Sequence, residues 1–447
     1  MTKRTTVGAG ISVGAIVALP AAAQAEDLKV TNLNDSGSGS LRQAILDAND
    51  DADADRIVFK SKLSGTIELS SSDHLSIYRG DLNVKGPGAR RLAVDAGGDS
   101  RVFAVFAGFK GLPPIDVTIS GLTVTGGLAD DGGAFGDLGG GILNAGPNDS
   151  GVEPHLTLRD LHVTGNTAAE DGGGVRNLEG DVTIKSSTLS GNTAEGAFGG
   201  AGVYSGYGDM TIVNSTITGN TSTTEDGGGV YTDSSGPGQA VIRQSTITGN
   251  HAEDNGGGVY LFHPTEISNT IIANNTAGDG DDVYFEVPDV DFSFSLVEDP
   301  ENPYDDDVPT SGGNLLGVDP NLKPLANNGG PTNTHAFKKS PAKNKVPKGQ
   351  SEKKDQRGAP RKGQGDIGAY ELVKCEGVVV NRVGTAKKDK LKGTKKADGI
   401  LGLGGNDKLQ GKKGRDGLCG GKGKDKLKGG PGKDKLDGGP GNDREIQ

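Results

Sequence analysis

Tryptophan is absent from this chain, methionine and cysteine occur twice each, and aromatic residues make up 4 % of its 447 residues. A rounded core leans on large side chains and is hard to stabilise from such an inventory. Glycine fills the gap: 77 residues, about 17 % against a norm of roughly 7 %, beside an apolar fraction of 32 %. An elongated, repeated core needs only one small apolar residue per strand per layer, so the composition favours a solenoid. At this length there is room for two or three domains.

Long apolar runs are also missing. After the N-terminus no stretch of about 18 apolar residues occurs, which leaves no expected membrane span. The N-terminus itself has Lys3 and Arg4, a short apolar stretch from Val7 to Leu19, and Ala23-Gln24-Ala25 before Glu26. That pattern predicts an export signal over residues 1–25 and a mature chain that is soluble and extracellular. The two cysteines, Cys375 and Cys419, can pair outside the cell and close a loop of about 45 residues, or stand as two thiols. His155, His162, His251 and His263 have no carboxylate or cysteine at ligand spacing, so no zinc pattern is present.

Charge divides the chain. Residues 384–447 hold 17 Lys+Arg and 9 Asp+Glu, a balance of +8 in a chain of net charge −12, which leaves −20 for everything before them. Two pieces of different character are expected.

The acidic piece repeats. "LTLRDLHVTGN" ends at Asn166, "VTIKSSTLSGN" at Asn192, "MTIVNSTITGN" at Asn220, "AVIRQSTITGN" at Asn250 and a looser "EISNTIIANN" at Asn275, spaced by 26, 28, 30 and 25 residues. Val182 and Ile184, or Met210 and Ile212, alternate as in a strand; Leu189 and Ile217 mark a second short run, and a glycine cluster followed by Val marks a third. Three short strands per unit, stacked in parallel, make a parallel β-helix. Asn166, Asn192, Asn220 and Asn250 then lie above one another as an amide ladder. Asp171, Asp226 and Asp254, each before a glycine cluster, are candidates for an acidic ladder that is solvated, binds calcium or sugar, or serves acid/base chemistry. A helix over "SLRQAILDAN" from Ser40, with Leu41, Ala44, Ile45 and Ala48 at helical spacing, is expected to cap the first coil.

The stretches "NDSGSGSLRQAILDAN", "RIVFKSKLSGTIEL" and "LNVKGPGARRLAVDAGGDSRVF", followed by the Gly-Asn units, resemble secreted bacterial right-handed parallel β-helix repeat proteins. "GGNLLGVDPNLKPLANNGGPTNTHAFKKSPA" and "DQRGAPRKGQGDIGAYE" are similar to the C-terminal part of the choice-of-anchor Q family, in which surface-retention modules follow. The resemblance spans about residues 28–372 and implies the fold, not an activity. The expected division is a leader over 1–25, a β-helix over 26–372 and a repeat array over 373–447.

In that array Asp389, Asp398, Asp407, Asp416, Asp425, Asp434 and Asp443 are nine apart, each five residues after Gly384, Gly393, Gly402, Gly411, Gly420, Gly429 or Gly438. An aliphatic residue follows two positions on, from Leu391 to Leu436, failing only at Glu445. The pattern resembles the calcium-binding nonapeptide of RTX proteins. The resemblance implies a parallel β-roll in which two repeats make one coil, Gly402, Gly411, Gly420, Gly429 and Gly438 allow the tight turns, Ca2+ is the cofactor, and Asp407, Asp416, Asp425, Asp434 and Asp443 are ligands. Asp389 and Asp398 are expected to be weaker, because Thr385, Lys387, Thr394 and Lys396 stand where the pattern wants glycine. Lys424 and Lys433, directly before ligand positions, should lower affinity for a dication.

Two readings follow. One is a secreted, non-catalytic calcium-binding protein for surface attachment or carbohydrate contact, its lysines suited to acidic polysaccharide or an anionic wall polymer. Nucleic acid is not an expected partner of an exported face without stacking aromatics. The other is a polysaccharide lyase or hydrolase using residues such as Asp171, Arg176, Lys185, Asp226 and Arg243, which would need one cleft lined with acids and bases.

Overall fold

The computed structural model describes residues 27–70, 73–107, 114–132, 135–146, 153–196, 198–233, 238–303 and 307–447. The export signal expected over residues 1–25 lies outside them. Strands dominate, and they stack coil upon coil. Ten parallel strands from Asp27–Val30 to Val290–Ser293 form a first sheet, ten from Gly65–Glu68 to Leu315–Leu316 a second, and eight from Leu75–Ile77 to Val283–Phe285 a third. The middle coils add a fourth strand of two residues, such as Thr167–Ala168 and Thr193–Ala194, to the three expected.

Each sheet sends one file of aliphatic residues into the core. Leu158, Ile184, Ile212, Ile242 and Ile267 are in register in the first sheet, Val163, Leu189, Ile217, Ile247 and Ile272 in the second. Val175, Val203, Val230, Val259 and Val283 complete the third. All fifteen are fully buried, at about 1.5–3 kcal/mol of favourable burial each.

The Gly-Asn pairs have two jobs. Gly165, Gly191, Gly219 and Gly249 take φ of 65°, 63°, 64° and 66°, the left-handed turn out of the second sheet, and Asn274 does the same at 59° in the unit that lacks the glycine. The following asparagines are buried and joined amide to amide: Asn166 Nδ2 donates to Asn192 Oδ1, Asn192 to Asn220, Asn220 to Asn250 and Asn250 to Asn275, each at 2.9 Å. Asp282 ends the ladder, accepting from Asn275 Nδ2 at 2.8 Å.

The helix Leu41–Ala48 closes the first coil. Its N-cap Ser40 Oγ accepts the Gln43 N–H at 3.1 Å, and Leu41, Ala44, Ile45 and Ala48 are its buried residues. At the other end, residues 328–372 strap the outer face of the second sheet. Gln356 bridges two coils there, accepting from Thr216 Oγ1 at 2.6 Å and donating to Thr188 Oγ1 at 3.0 Å. Two buried ion pairs, Arg357–Asp355 at 2.7 Å and Arg361–Glu371 at 2.9 Å, hold the strap together. Arg357 Nη1 also donates to Val380 O at 3.1 Å, tying the strap to the strand Val378–Val383 that opens the C-terminal roll.

Candidate metal-binding roll

The nine-residue units form short strands that alternate between two sheets. Lys390–Lys392, Lys408–Gln410, Lys426–Lys428 and Arg444–Ile446 make one, and Gly399–Leu401, Gly417–Cys419 and Lys435–Asp437 follow Val378–Val383 in the other. Partners are 18 residues apart, so two repeats do make one coil. Ile400, Leu409, Leu418 and Leu427 meet between the sheets as a thin core, with Leu391 and Leu436 at its edges. Cys375 and Cys419 form a disulfide that fastens the start of the roll to its middle.

The aspartates line up in two columns. In each, one carboxylate oxygen closes a turn: Asp407 Oδ1 accepts the Asp389 N–H at 2.8 Å, Asp416 Oδ1 that of Asp398 at 2.9 Å, Asp425 Oδ1 that of Asp407 at 2.7 Å. Asp434 and Asp443 do the same for Asp416 and Asp425. The second oxygen is the informative one. Oδ2 of Asp407, Asp416, Asp425 and Asp434 is buried and has no hydrogen-bond partner. A buried carboxylate oxygen left unsatisfied is costly unless a cation meets it. Burial accordingly pushes the Asp407, Asp416 and Asp425 carboxyls up from the usual aspartate range, with a smaller push from the aspartates stacked beside them.

The glycines five residues earlier make room for that oxygen. A Cβ on Gly402 or Gly429 would sit 2.6 Å from Oδ2 of Asp407 or Asp434, and one on Gly411, Gly420 or Gly438 would collide with Asp416, Asp425 or Asp443. Their role is close approach. The left-handed backbone falls one residue later, at Leu403, Lys412, Gly421, Gly430 and Gly439, with φ of 76°, 80°, 98°, 105° and 83°. This refines the expectation that the glycines serve the turn itself.

The first two repeats differ. Thr385 donates to Asp389 Oδ2 through its N–H at 2.6 Å and its hydroxyl at 2.9 Å, and Thr394 does the same to Asp398 at the same distances. Those carboxylates are satisfied by the chain. Lys424 and Lys433 make no ion pair with Asp425 or Asp434; among the described residues no ion pair involves residues 373–447. Nor do three or more His, Cys, Asp or Glu side chains gather there as a cage. A hard dication in the roll would therefore be held by one aspartate per turn and backbone oxygens, a donor set that suits calcium.

The other candidates are dispersed. Backbone hydrogen bonds put Asp171, Gly199, Asp226, Asn255 and Asp279 at equivalent positions of successive coils. Gly199 thus separates Asp171 from Asp226, and Asp254 is one residue out of line, because the loops before the glycine clusters differ in length. Asp171 is buried, Asp226 half-buried and Asp254 exposed; burial lifts Asp226 to about 6. Arg176 is buried under Tyr204, its guanidinium carbon 3.3 Å from the ring centre, and cannot join Lys185 and Arg243. Those two line a cleft of about 1120 Å³ between coil, strap and roll, with Glu266, Lys354 and Asp389. His155 does have carboxylate partners, Asp116 at 2.9 Å and Asp181 at 3.5 Å, but they come from neighbouring coils and all three are well exposed. A stack of Tyr204, Tyr231, Tyr260 and Tyr284, with ring centres 4.7, 5.0 and 4.8 Å apart, was not foreseen; its signal is the Val-Tyr pair that recurs in successive coils.

Residues 148–291 match the family model of the right-handed β-helix region, and residues 383–418 and 420–445 match that of the RTX calcium-binding nonapeptide repeat. No curated protein and no solved structure matches the chain. Among the described residues no helix is long and apolar enough to cross a membrane. The chain thus carries a right-handed β-helix followed by calcium-binding repeats.

Proposed function

We propose that this is an extracellular, non-catalytic protein that presents a rigid β-helix, and that its roll binds Ca2+ through Asp407, Asp416, Asp425 and Asp434, with Asp443 at the open end. The observation that carries this is the two columns of buried, unpartnered Oδ2 atoms, Asp407 with Asp425 and Asp416 with Asp434, each in a space only glycine leaves. Bound calcium supplies the positive charge those oxygens lack; the chain supplies the stacked turns and the alignment of the two columns. The apolar leader, the disulfide and the resemblance to surface-retained proteins support export and a role in surface attachment or carbohydrate contact. Calorimetric titration of the full chain, with thermal melts in calcium and in chelator, tests the binding. Saturable uptake and a raised melting temperature are expected, and both should be lost when the four aspartates become asparagine.

The catalytic reading rests on the mixed-charge cleft with Lys185, Arg243 and Glu266. Release of unsaturated products from uronate polymers, lost in R243A, is the result that would replace attachment with a lyase.

A further inference from the structure

The roll has one cationic face. In the four-stranded sheet Lys390, Lys408, Lys426 and Arg444 are in register on successive strands, all exposed. Across the strand, Lys392 and Lys428 flank Gln410 in a second outward file. Leu391, Leu409 and Leu427 point inward between the files. The opposite sheet is unlike it: the matching files read Gly399, Gly417, Lys435 and Leu401, Cys419, Asp437, with Gly399 and Gly417 buried and Leu401 and Cys419 packed on Cys375, Val380 and Val383.

Like charges directly opposite on neighbouring strands repel, and no acidic side chain of the described residues pairs with these. The neighbouring aspartates do not relieve them, since their carboxylates are turned into the roll. With a strand spacing of about 4.8 Å, four rungs give a straight row of cations about 15 Å long.

We propose that this file is the docking surface for a linear acidic polysaccharide bearing one carboxylate per sugar, laid along the coil axis. A row, rather than a broad patch, fits a chain better than a lipid headgroup plane. Flexible ammonium groups act as point charges, so they suit a row of anions whose spacing need only be approximate and do not demand the bidentate geometry that arginine reads. The face has no aromatic side chain on which a base could stack. The proposal rests on the roll being folded as in the calcium reading, and bound calcium, by adding positive charge, should strengthen it.

The test is binding of a short oligogalacturonate to the full chain at physiological salt, with and without calcium. It compares K390S/K408S/K426S/R444S with K395S/K396S/K412S/K413S, which removes the same charge outside the file. Calcium isotherms of both variants are run alongside, so that loss of the roll shows separately. The file variant is expected to weaken binding by at least about tenfold with its calcium isotherm intact, while the control stays near wild type. Equal weakening in both variants, which means net charge alone is at work, overturns the proposal. So does absence of binding by the wild type, or tighter binding of single-stranded DNA, an acidic peptide or anionic vesicles.

Discussion

The hydroxyl of Thr394 lies 2.9 Å from Asp398 Oδ2 and donates to it, in the place where Asp416 Oδ2, one coil on, has nothing. The threonine does for Asp398 what the cation is proposed to do for Asp416. T394G removes the hydroxyl donor and lets residue 394 take the left-handed backbone of Leu403, Lys412, Gly421, Gly430 and Gly439, which would turn its N–H away from the oxygen as in the later repeats. The variant is expected to bind one more calcium ion per chain than the wild type, read as stoichiometry by calorimetry. An unchanged stoichiometry would mean that Lys396, not Thr394, blocks the repeat.

Gly420 lies against Asp425, and a Cβ there collides with Oδ2. G420A is expected to lower the stability of the chelated roll as well, because the same Cβ falls 2.6 Å from the backbone oxygen of Gly438 on the next coil. Calcium affinity should fall by at least about tenfold, about 1.4 kcal/mol. Paired titrations and chelated melts of wild type and variant check both halves.

Asn220 is the middle of the buried ladder, accepting from the Asn192 N–H and side chain at 3.1 and 2.9 Å and donating to Asn250 at 2.9 Å. N220A orphans two buried donors at about 1–3 kcal/mol each. A loss of about 2–5 kcal/mol in urea unfolding is expected, with calcium binding by the roll unchanged.

Burial raises Asp282, the ladder's terminal acceptor, from 3.8 to about 6, against the hydrogen bonds from Asp299 and Asn275 that favour its ionised form. Between those two values the folded chain holds a proton that the unfolded chain has released. Its contribution to stability therefore falls as pH rises through that window, by about 3 kcal/mol, and is flat above it. D282N lacks this titration. The difference in unfolding free energy between wild type and D282N should change between pH 4 and 6 by about 2 kcal/mol and stay constant from pH 7 to 8; a parallel pair of profiles would contradict the assignment.

The disulfide closes a loop with a sequence separation of 44. Replacing both cysteines by serine should lower the stability of the roll by on the order of 4 kcal/mol in the loop-entropy view. A higher calcium concentration should then be needed for its folding, measured by far-UV circular dichroism.

Periodic features were legible in the sequence, and long-range ones were not. The asparagine ladder and the alternating coils follow from spacings of 25 to 30 residues, because a stacked fold turns sequence period into spatial register. The nine-residue array is readable for the same reason. The supposed acidic ladder fails because Gly199 stands in the coil between Asp171 and Asp226, and because "EDNGGG" has one residue more than "EDGGG", which moves Asp254 out of line by a whole position. The two-residue strands, such as Thr167–Ala168, are too short to leave a pattern. The strap's hold on the coils, Gln356 on Thr216, joins residues 140 apart with no repeat between them. The freedom of Asp416 Oδ2 and the capping of Asp398 by Thr394 are facts of geometry; the sequence shows only that threonine stands where glycine is usual.

The central claim is that the unpartnered aspartate oxygens of the roll hold calcium. It is tested most directly by calorimetric titration of the full chain beside D407N/D416N/D425N/D434N. Saturable binding by the wild type at millimolar calcium or below, and none by the quadruple variant, is the expected result. A flat wild-type titration, or the same isotherm from both proteins, contradicts it.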